Sequence, residues 1–388
     1  MIQVKNPKNC CGCTACMSIC PKQAISMKPD ILGFLYPEVD LNACVDCGLC
    51  EKVCSFNDWY DKSENYQEPL AFGARHRDIK EVESSRSGAA FIAFSDWVLQ
   101  QGGVVYGAGF VDHFRVAHKR ATTKTERDEF KGSKYVQSDL GTTFKQVKED
   151  LKNGLLVMFS GTACQIAGLK SFVGKKLRPN LYLIDIVCHG APSPFIWRDY
   201  LASVELKYGC AEKVNFRDKS RLGWGSHKES FTFENGMYLE NYIYTDLFYQ
   251  HVMFRHSCSV CHFTNLQHPS DITIADFWGW EKTNQTINSD NKGVSLFFIN
   301  NEKGKFLFES VKDNLVHFPV ELKNCMQPNL QHPSSIHPLR MKFEEDYARK
   351  SFDYVSYRYS NRYFWTKLKK KCKKIAAKIF PRTEKDVV

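Results

Sequence analysis

Eight cysteines fall into two copies of one spacing. Cys10, Cys13, Cys16 and Cys20 are followed by Pro21, and Cys44, Cys47, Cys50 and Cys54 by Ser55. Gaps of two, two and three residues are the spacing of the bacterial ferredoxin run. Three thiolates on one tight loop reach three irons of one cubane, while the fourth, carried into a helical turn, points away to a second cluster. The spacing therefore predicts two [4Fe-4S] clusters with crossed ligands. One is held by Cys10, Cys13, Cys16 and Cys54, the other by Cys44, Cys47, Cys50 and Cys20. A pair of zinc sites would use half of these cysteines and leave the repeated spacing unexplained. Cys11 lies outside the pattern, as an inert neighbour or a substitute ligand. So short a segment has little core of its own, so the clusters must also hold it together.

A second constellation is spread over three segments. The strand-like run Leu155–Phe159 leads into Ser160-Gly161-Thr162-Ala163-Cys164, and the run Leu181–Val187 leads into Cys188-His189-Gly190. Two cysteines just past the ends of neighbouring parallel strands would lie at the carboxyl edge of a sheet, where open α/β folds bind ligands. Cys258 and Cys261 can deliver two more thiolates, which suggests a third cluster on Cys164, Cys188, Cys258 and Cys261. Two other readings stand beside it: a zinc knuckle of Cys258 and Cys261 with His256 or His262, and a Cys188–His189 nucleophile and base. Cys210, Cys325 and Cys372 have no metal-like spacing and read as ordinary thiols. Ser160–Thr162 and the serine-rich stretch before Gly88 each open a helix, where free backbone N–H groups suit a phosphate without demanding one.

These residues must be positioned by two domains. Nine of the 16 cysteines lie between Cys10 and Cys54, within a predicted α+β ferredoxin-like domain over residues 1–60 that binds two clusters. Residues 61–69 read as a linker. From 70 to 340, strand-like runs alternate with amphipathic helices, which predicts an α/β domain with a mixed, largely parallel sheet. Phe231–Phe233 and Tyr238–Ile243 should add an antiparallel hairpin to that sheet. Residues 341–388 read as an aromatic and then basic tail outside the core.

The 388 residues are 43% hydrophobic and 25% charged, an ordinary globular composition. The formal charge of +10 is concentrated at the end: residues 362–388 carry ten Lys or Arg against Glu384 and Asp386. That tail is +8 and the rest of the chain +2, so a nucleic-acid-binding reading has no support. No apolar run is long enough to span a membrane. Nothing before Cys10 resembles a signal peptide, which places the expected protein in the cytoplasm, where thiols stay reduced. Within the tail, Trp365, Leu368, Cys372, Ile375 and Ile379 recur at helical spacing among lysines. This is either a basic amphipathic helix suited to peripheral membrane contact or an acidic partner, or a solvated terminal helix.

Several ordered stretches carry a resemblance: Ser85–Phe91 (SRSGAAF), Gly102–Phe110 (GGVVYGAGF), Gly132–Ser138 (GSKYVQS), Ser160–Leu169 (SGTACQIAGL), Cys188–Pro194 (CHGAPSP), Phe216–Lys219 (FRDK), Cys258–Phe263 (CSVCHF) and Asp271–Gly279 (DITIADFWG). Over about residues 70–325 the chain resembles the coenzyme F-420 hydrogenase/dehydrogenase beta-subunit family, with the 2[4Fe-4S] ferredoxin segment as its N-terminal attachment. The resemblance implies a flavin, usually FAD, beside a cubane cluster. By position it makes Cys164, Cys188, Cys258 and Cys261 cluster ligands, and Ser87, Gly88, Ser133, Lys134, Tyr135, Gln137 and Thr162 flavin-pocket residues. Without it, the stretch from Ser133 to Ser138 reads equally as loop–strand packing. Two departures stand out. Ala89 occupies the place of an expected glycine, which bears on close approach of backbone to cofactor, and Ala163 that of an expected proline.

Together these readings predict an iron–sulfur flavoprotein oxidoreductase. It would pass electrons between its ferredoxin-type clusters and a hydride-exchanging substrate through a flavin. The expected partners are a ferredoxin-like electron-transfer protein or another oxidoreductase subunit, and a small-molecule hydride donor or acceptor. Lys134 would either favour reduced flavin by its charge or pair with phosphate or solvent. No residue is singled out as catalytic. Two alternatives remain: an electron-relay or docking subunit without flavin, suited by Ala89 and Arg86, and a reductase of a sugar or cell-envelope precursor.

Overall fold

A computed structural model of the chain describes residues 1–56, 60–61, 63–284, 286–360 and 368. The N-terminal segment is built around a hairpin of β1 (Ile25–Pro29) and β2 (Leu35–Val39), paired antiparallel, between short helices Ala15–Ile19 and Leu49–Lys52. Each helix starts inside a cysteine loop, and the two loops repeat one backbone shape. Gly12 and Thr14 have φ of +72° and +63°, and the equivalent Asp46 and Gly48 +47° and +72°. Left-handed residues at alternate positions fold the loop tightly enough to turn successive cysteines inward.

The strands that follow, in chain order, are β3 (Leu70–His76), β4 (Val104–Val111), β5 (Arg115–Ala121), β6 (Val157–Thr162), β7 (Leu181–Ile186), β8 (Ala211–Asn215), β9 (Glu229–Phe233), β10 (Tyr238–Asn241), β11 (Ile272–Asp276), β12 (Ser295–Ile299) and β13 (Leu315–Val320). Eight of them form one mixed sheet in the order β13-β3-β12-β11-β7-β6-β4-β5. The pairings β4–β6, β6–β7 and β7–β11 at its centre are parallel, and those toward both edges antiparallel.

Strand period two sends alternate side chains to opposite faces. Val104, Tyr106, Val157, Phe159, Leu181 and Leu183 pack on one side against helices Thr143–Lys152 and Ala163–Val173. Val105, Met158, Tyr182 and Ile184 pack on the other against Ala90–Gln100 and Glu302–Val311. The result is a three-layer α/β/α arrangement. The cysteine segment is part of the first layer: Cys11, Cys13, Ala15, Val53 and Phe56 share one buried cluster with Phe144, Ile166 and Phe159.

Three expectations need correction. The hairpin of β9 and β10 forms as expected, with Tyr238 opposite Thr232, but it joins β8 in a separate three-stranded sheet. Phe231 and Phe233 point into a different core, with Trp197, Tyr200 and Tyr244, which holds this sheet away from the larger one. Residues 340–360 are not peripheral. Helices Arg340–Arg349 and Phe352–Tyr359 bury Phe343, Val355 and Tyr359 in that same core. The stretch read as a linker is also tied down, since Asp61 pairs with Arg178 at 2.8 Å and the Tyr66 N–H donates to the Asn300 carbonyl at 2.7 Å. The basic helix expected over Trp365–Ile379 lies, but for Leu368, outside the described residues. No helix among the described residues is long and apolar enough to cross a membrane.

Candidate functional site

The two cysteine loops lie side by side, with the helices Ala15–Ile19 and Leu49–Lys52 in contact. Cys20 lines a small pocket together with Cys44, Cys47 and Cys50, closed by Met1, Ile25 and Val39. Cys16 has Cys13, Cys10 and Cys54 as its nearest thiols, and burial followed by those neighbours holds its pKa well above the usual thiol value. Cys20 thus lies with the second run and Cys54 beside the first, an arrangement that crossed ligation would use. The Cys20 group is the outer one, with Cys47 exposed. The Cys54 group is the inner one, with Cys13 and Cys16 buried.

The second constellation comes together because of strand register. β6 and β7 are parallel with Thr162 opposite Ile186, so Cys164 and Cys188, two residues further along each chain path, emerge at one sheet edge. Thr162 caps the helix Ala163–Val173, its backbone N–H and hydroxyl both donating to Gln165 Oε1, at 3.0 and 3.1 Å. Ala163 is the first residue of that helix, a position where proline is tolerated, so its absence costs only stiffness. Cys258 sits on the turn His256–Val260, its Sγ accepting from the Ala191 N–H at 3.2 Å, and Cys261 follows directly. Burial, then Cys258, Cys164 and Cys261, push the Cys188 thiol up. Burial raises Cys258 to about 11 and Cys261 to about 12. Cys164 goes the other way, lowered to about 7 chiefly by its hydrogen bond with Cys11. Four converging sulfurs, three of them resisting ionisation without a counter-charge, fit a metal centre, which replaces their protons.

The competing readings find no geometry here. His256 bonds Glu344 at 3.0 Å and His262 stacks on Phe56 at 4.7 Å, neither facing the cysteine cage. His189 Nε2 bonds His251 Nε2 at 2.7 Å instead of turning to Cys188. Cys11 is the unexpected member. Its thiol lies within hydrogen-bond reach of both Cys13 and Cys164, between the inner group and the cage.

The cage opens on a cavity of about 440 Å³, within the range of cofactor pockets. Ser87, Ser133, Lys134, Tyr135, Gln137 and Thr162 line it, but Gly88 does not. A Cβ at Gly88 would lie 2.3 Å from the Ala74 carbonyl oxygen, so this glycine serves close packing of its loop on the sheet. The left-handed residue is Ala89, with φ +63°, which explains why a glycine is expected there. The Lys134 ammonium donates to the carbonyls of Glu129 at 2.7 Å and Lys131 at 2.9 Å, and burial lowers its pKa to about 7. Gln137 turns toward the cysteine loop, donating to the Cys11 carbonyl at 2.9 Å.

The far wall carries a polar network that the motif reading did not assign. Arg217 donates to Asp276 at 2.7 Å and to the Tyr135 hydroxyl at 3.2 Å, and lies 3.3 Å from His227, which bonds Tyr249. Burial and then Arg217 and Arg86 lower the His227 pKa to about 4, so the ring is neutral near pH 7. Arg217 and Asp276 lie inside quoted motifs, FRDK and DITIADFWG, and were there to be found. His227 and Tyr249 belong to no motif. Arg86 and Arg217 both line this cavity, and among the described residues Asp276 is the one carboxylate that pairs with them, at 4.0 and 2.7 Å. Two guanidinium groups sharing one carboxylate leave a net positive wall, which suits an anionic, phosphate-bearing cofactor.

Cysteine loops of ferredoxin spacing docked on an α/β sheet define an iron–sulfur protein of oxidoreductase type. Comparison with known families specifies it. Residues 9–57 match the 4Fe-4S dicluster domain, and residues 155–321 match the C terminus of the Coenzyme F420 hydrogenase/dehydrogenase beta subunit. The chain therefore contains a domain of that beta-subunit type, with a 4Fe-4S dicluster domain on its N-terminal side. Among solved structures it is similar to a chain from the xenon-derivatised F420-reducing [NiFe] hydrogenase complex of Methanosarcina barkeri, at 16% identity, covering 75% of this chain and 92% of that one, with a TM-score of 0.47. No curated protein matches.

Proposed function

We propose that the protein is an iron–sulfur flavoprotein oxidoreductase passing electrons between ferredoxin-type [4Fe-4S] clusters and a hydride-exchanging small molecule. The observation that carries this reading is the cage of Cys164, Cys188, Cys258 and Cys261 opening on the same cavity as the Arg86 and Arg217 guanidinium groups, which share the single carboxylate Asp276. In it, Cys10, Cys13, Cys16 and Cys54 hold an inner cluster, Cys20, Cys44, Cys47 and Cys50 an outer one, and the cage a third. A flavin bound in the cavity would supply exchange between electron pairs and single electrons. Arg86 and Arg217 would hold its anionic part, or that of the substrate, by charge-assisted hydrogen bonds. Neutral His227, bonded to Tyr249 at the cavity wall, can hold or release a proton at its ring nitrogen as hydride moves. The exposed outer site is the natural docking point for a ferredoxin-like protein or another oxidoreductase subunit.

The test is made on full-length protein reconstituted without oxygen, by counting iron, acid-labile sulfide and acid-released flavin. About twelve irons, as three cubanes require, with one flavin per chain is the expected result. About eight irons and no flavin would replace this reading with that of a relay subunit.

A further inference from the structure

Arg255 is among the largest fully buried side chains of the protein, 1% exposed, and it lies between the two halves of the chain. Its Nε donates to the Cys10 carbonyl at 2.7 Å, and Nη2 donates to the Leu35 carbonyl at 2.9 Å and approaches Cys10 Sγ at 3.6 Å. Nη1 donates to Gln137 Oε1 at 3.1 Å, and Gln137 in turn holds the Cys11 carbonyl. The guanidinium lies over the ring of Tyr36, 4.2 Å from its centroid. Gly12 is obligatory beneath it, because a Cβ there would sit 2.8 Å from Nη1.

A lone buried cation is unfavourable by several kcal/mol unless an opposite charge compensates it. No carboxylate forms a salt bridge with Arg255 among the described residues, and all the carbonyls it meets are neutral. Burial opposes its charge, and the groups around it that could offset this, Cys10, Tyr36, Cys11 and Cys258, do so only when ionised or metal-bound. Two of these belong to different proposed centres, Cys10 to the inner one and Cys258 to the cage. Cys10 Sγ is 3.6 Å from Nη2, the Cys258 N–H donates to the Arg255 carbonyl at 3.0 Å, and Arg255 lines the cavity beside the cage. The cation is fixed, fully desolvated and three residues upstream of a cage cysteine.

Resting on the reading of both sites as clusters, we propose that Arg255 is the shared counter-charge of the inner and cage clusters. It raises the potential of both relative to the outer cluster, and so sets the direction in which an electron entering at the exposed end settles. A positive charge and a hydrogen bond near cluster sulfur stabilise the state with one more electron, and charge, hydrogen bonding and burial are what set cluster potentials. None of the outer group's cysteines is among the hydrogen-bond partners of this guanidinium.

The test is an EPR-monitored redox titration of the reconstituted full chain as wild type, Arg255→Met and Arg255→Lys. Methionine keeps length and loses the charge; lysine keeps the charge and loses the fork. The expected result for Arg255→Met is a lowering of the reduction equilibrium of both inner and cage clusters by tenfold or more, which is 59 mV for a one-electron centre. The outer cluster should move less than threefold, and Arg255→Lys should restore both inner centres to within about threefold of wild type. Unchanged potentials in Arg255→Met at full iron content overturn the proposal, as do equal shifts in the Met and Lys variants, which would mark a packing effect. If Arg255→Met takes up no iron, Arg255→Lys decides alone: potentials near wild type support the counter-charge role, and a tenfold shift overturns it. A wild-type chain with about eight irons would overturn the underlying reading of the cage instead, a result visible before any variant is made.

Discussion

Gly168 lies in the middle of the helix Ala163–Val173, on the face against the cysteine segment. A Cβ built there would sit 2.7 Å from Cys13 Sγ and 2.9 Å from Cys13 Cβ, with Phe144 Cε2 at 3.5 Å. Two effects of opposite sign meet in Gly168→Ala. Helix propensity favours alanine over mid-helix glycine by about 1 kcal/mol, and forcing an extra methyl into a packed interior costs about 1–3 kcal/mol. The outcome turns on whether Cys13 can give way. It sits between the left-handed residues Gly12 and Thr14, and in the proposed function its sulfur is tied to iron, so the clash should win. The net expectation is a loss of up to about 2 kcal/mol, read as a fall of several degrees in the melting temperature, at about 2–4 °C per kcal/mol or somewhat less for a chain this long. Iron should fall by about eight in each affected chain, the content of the inner and cage cubanes that share this helix. A variant that melts higher than wild type and keeps all its iron would show that Cys13 does not bear on this helix. The docking of the cysteine segment would then need another description.

Further expectations concern ligand grouping, strain and acid. Cys54→Ala should abolish the EPR signal of the buried inner centre and Cys20→Ala that of the exposed outer one; the reverse pattern would mean uncrossed ligands. Ala89→Gly exchanges left-handed strain of about 1–2 kcal/mol for a larger loss of chain freedom of about 0.4–1 kcal/mol, so the melting temperature should hold or rise slightly. The bulkier Ala89→Val should melt clearly lower. His118 and His227, both lowered from the free value of 6.5 to about 4 chiefly by burial, stay neutral in the folded chain where the unfolded chain takes up protons. Their contribution is therefore complete above about pH 6.5 and is lost as pH falls toward 4, with a slope of at most about 1.4 kcal/mol per pH unit for each ring. His118→Asn should flatten that slope in denaturant titrations.

The iron–sulfur character of the N-terminal segment was legible in the sequence because metal geometry is written locally, in spacings of two and three residues. The pairing of Cys164 with Cys188 was legible for a related reason: two apolar strand-like runs, each ending on a cysteine, leave parallel neighbours little choice about where those cysteines fall. What stayed hidden depends on contacts distant in sequence. Arg255 looks like any charged residue before Cys258, and only its place beneath Tyr36 and beside Cys10 gives it meaning. The hairpin of β9 and β10 has a clear pattern, but nothing local says which sheet it joins; Phe231, Phe233 and their partners from Trp197 to Tyr359 decide that. Tyrosine-rich residues 340–360 read as peripheral because aromatic residues and charges alternate there, although one face of each helix is buried. The glycine expected at position 89 matches the positive φ that Ala89 carries, whereas Gly88, read as a pocket residue, packs its loop on the sheet, a role that only the contact with Ala74 shows.

The docking of the cysteine segment has a consequence for how the protein assembles. An independent ferredoxin module would keep its hydrophobic surface to itself, yet here Cys11, Cys13, Val53 and Phe56 complete the layer formed by Phe144, Ile166 and Phe172. The segment has too few apolar residues to fold without its metal, so filling its sites also covers that face of the α/β layer. Binding that occurs only in the folded state is folding free energy, and here it is shared by both halves of the chain. Iron uptake at the proposed inner site and stability of the cage edge should then rise and fall together. Loss of Cys13 would be felt at Cys164 through Cys11 and Gly168, and loss of Cys164 would loosen the helix that Cys13 rests on. Partial loading is therefore expected to be rare: reconstituted protein should divide into fully loaded and nearly empty chains, with few that hold the inner cluster and lack the one in the cage.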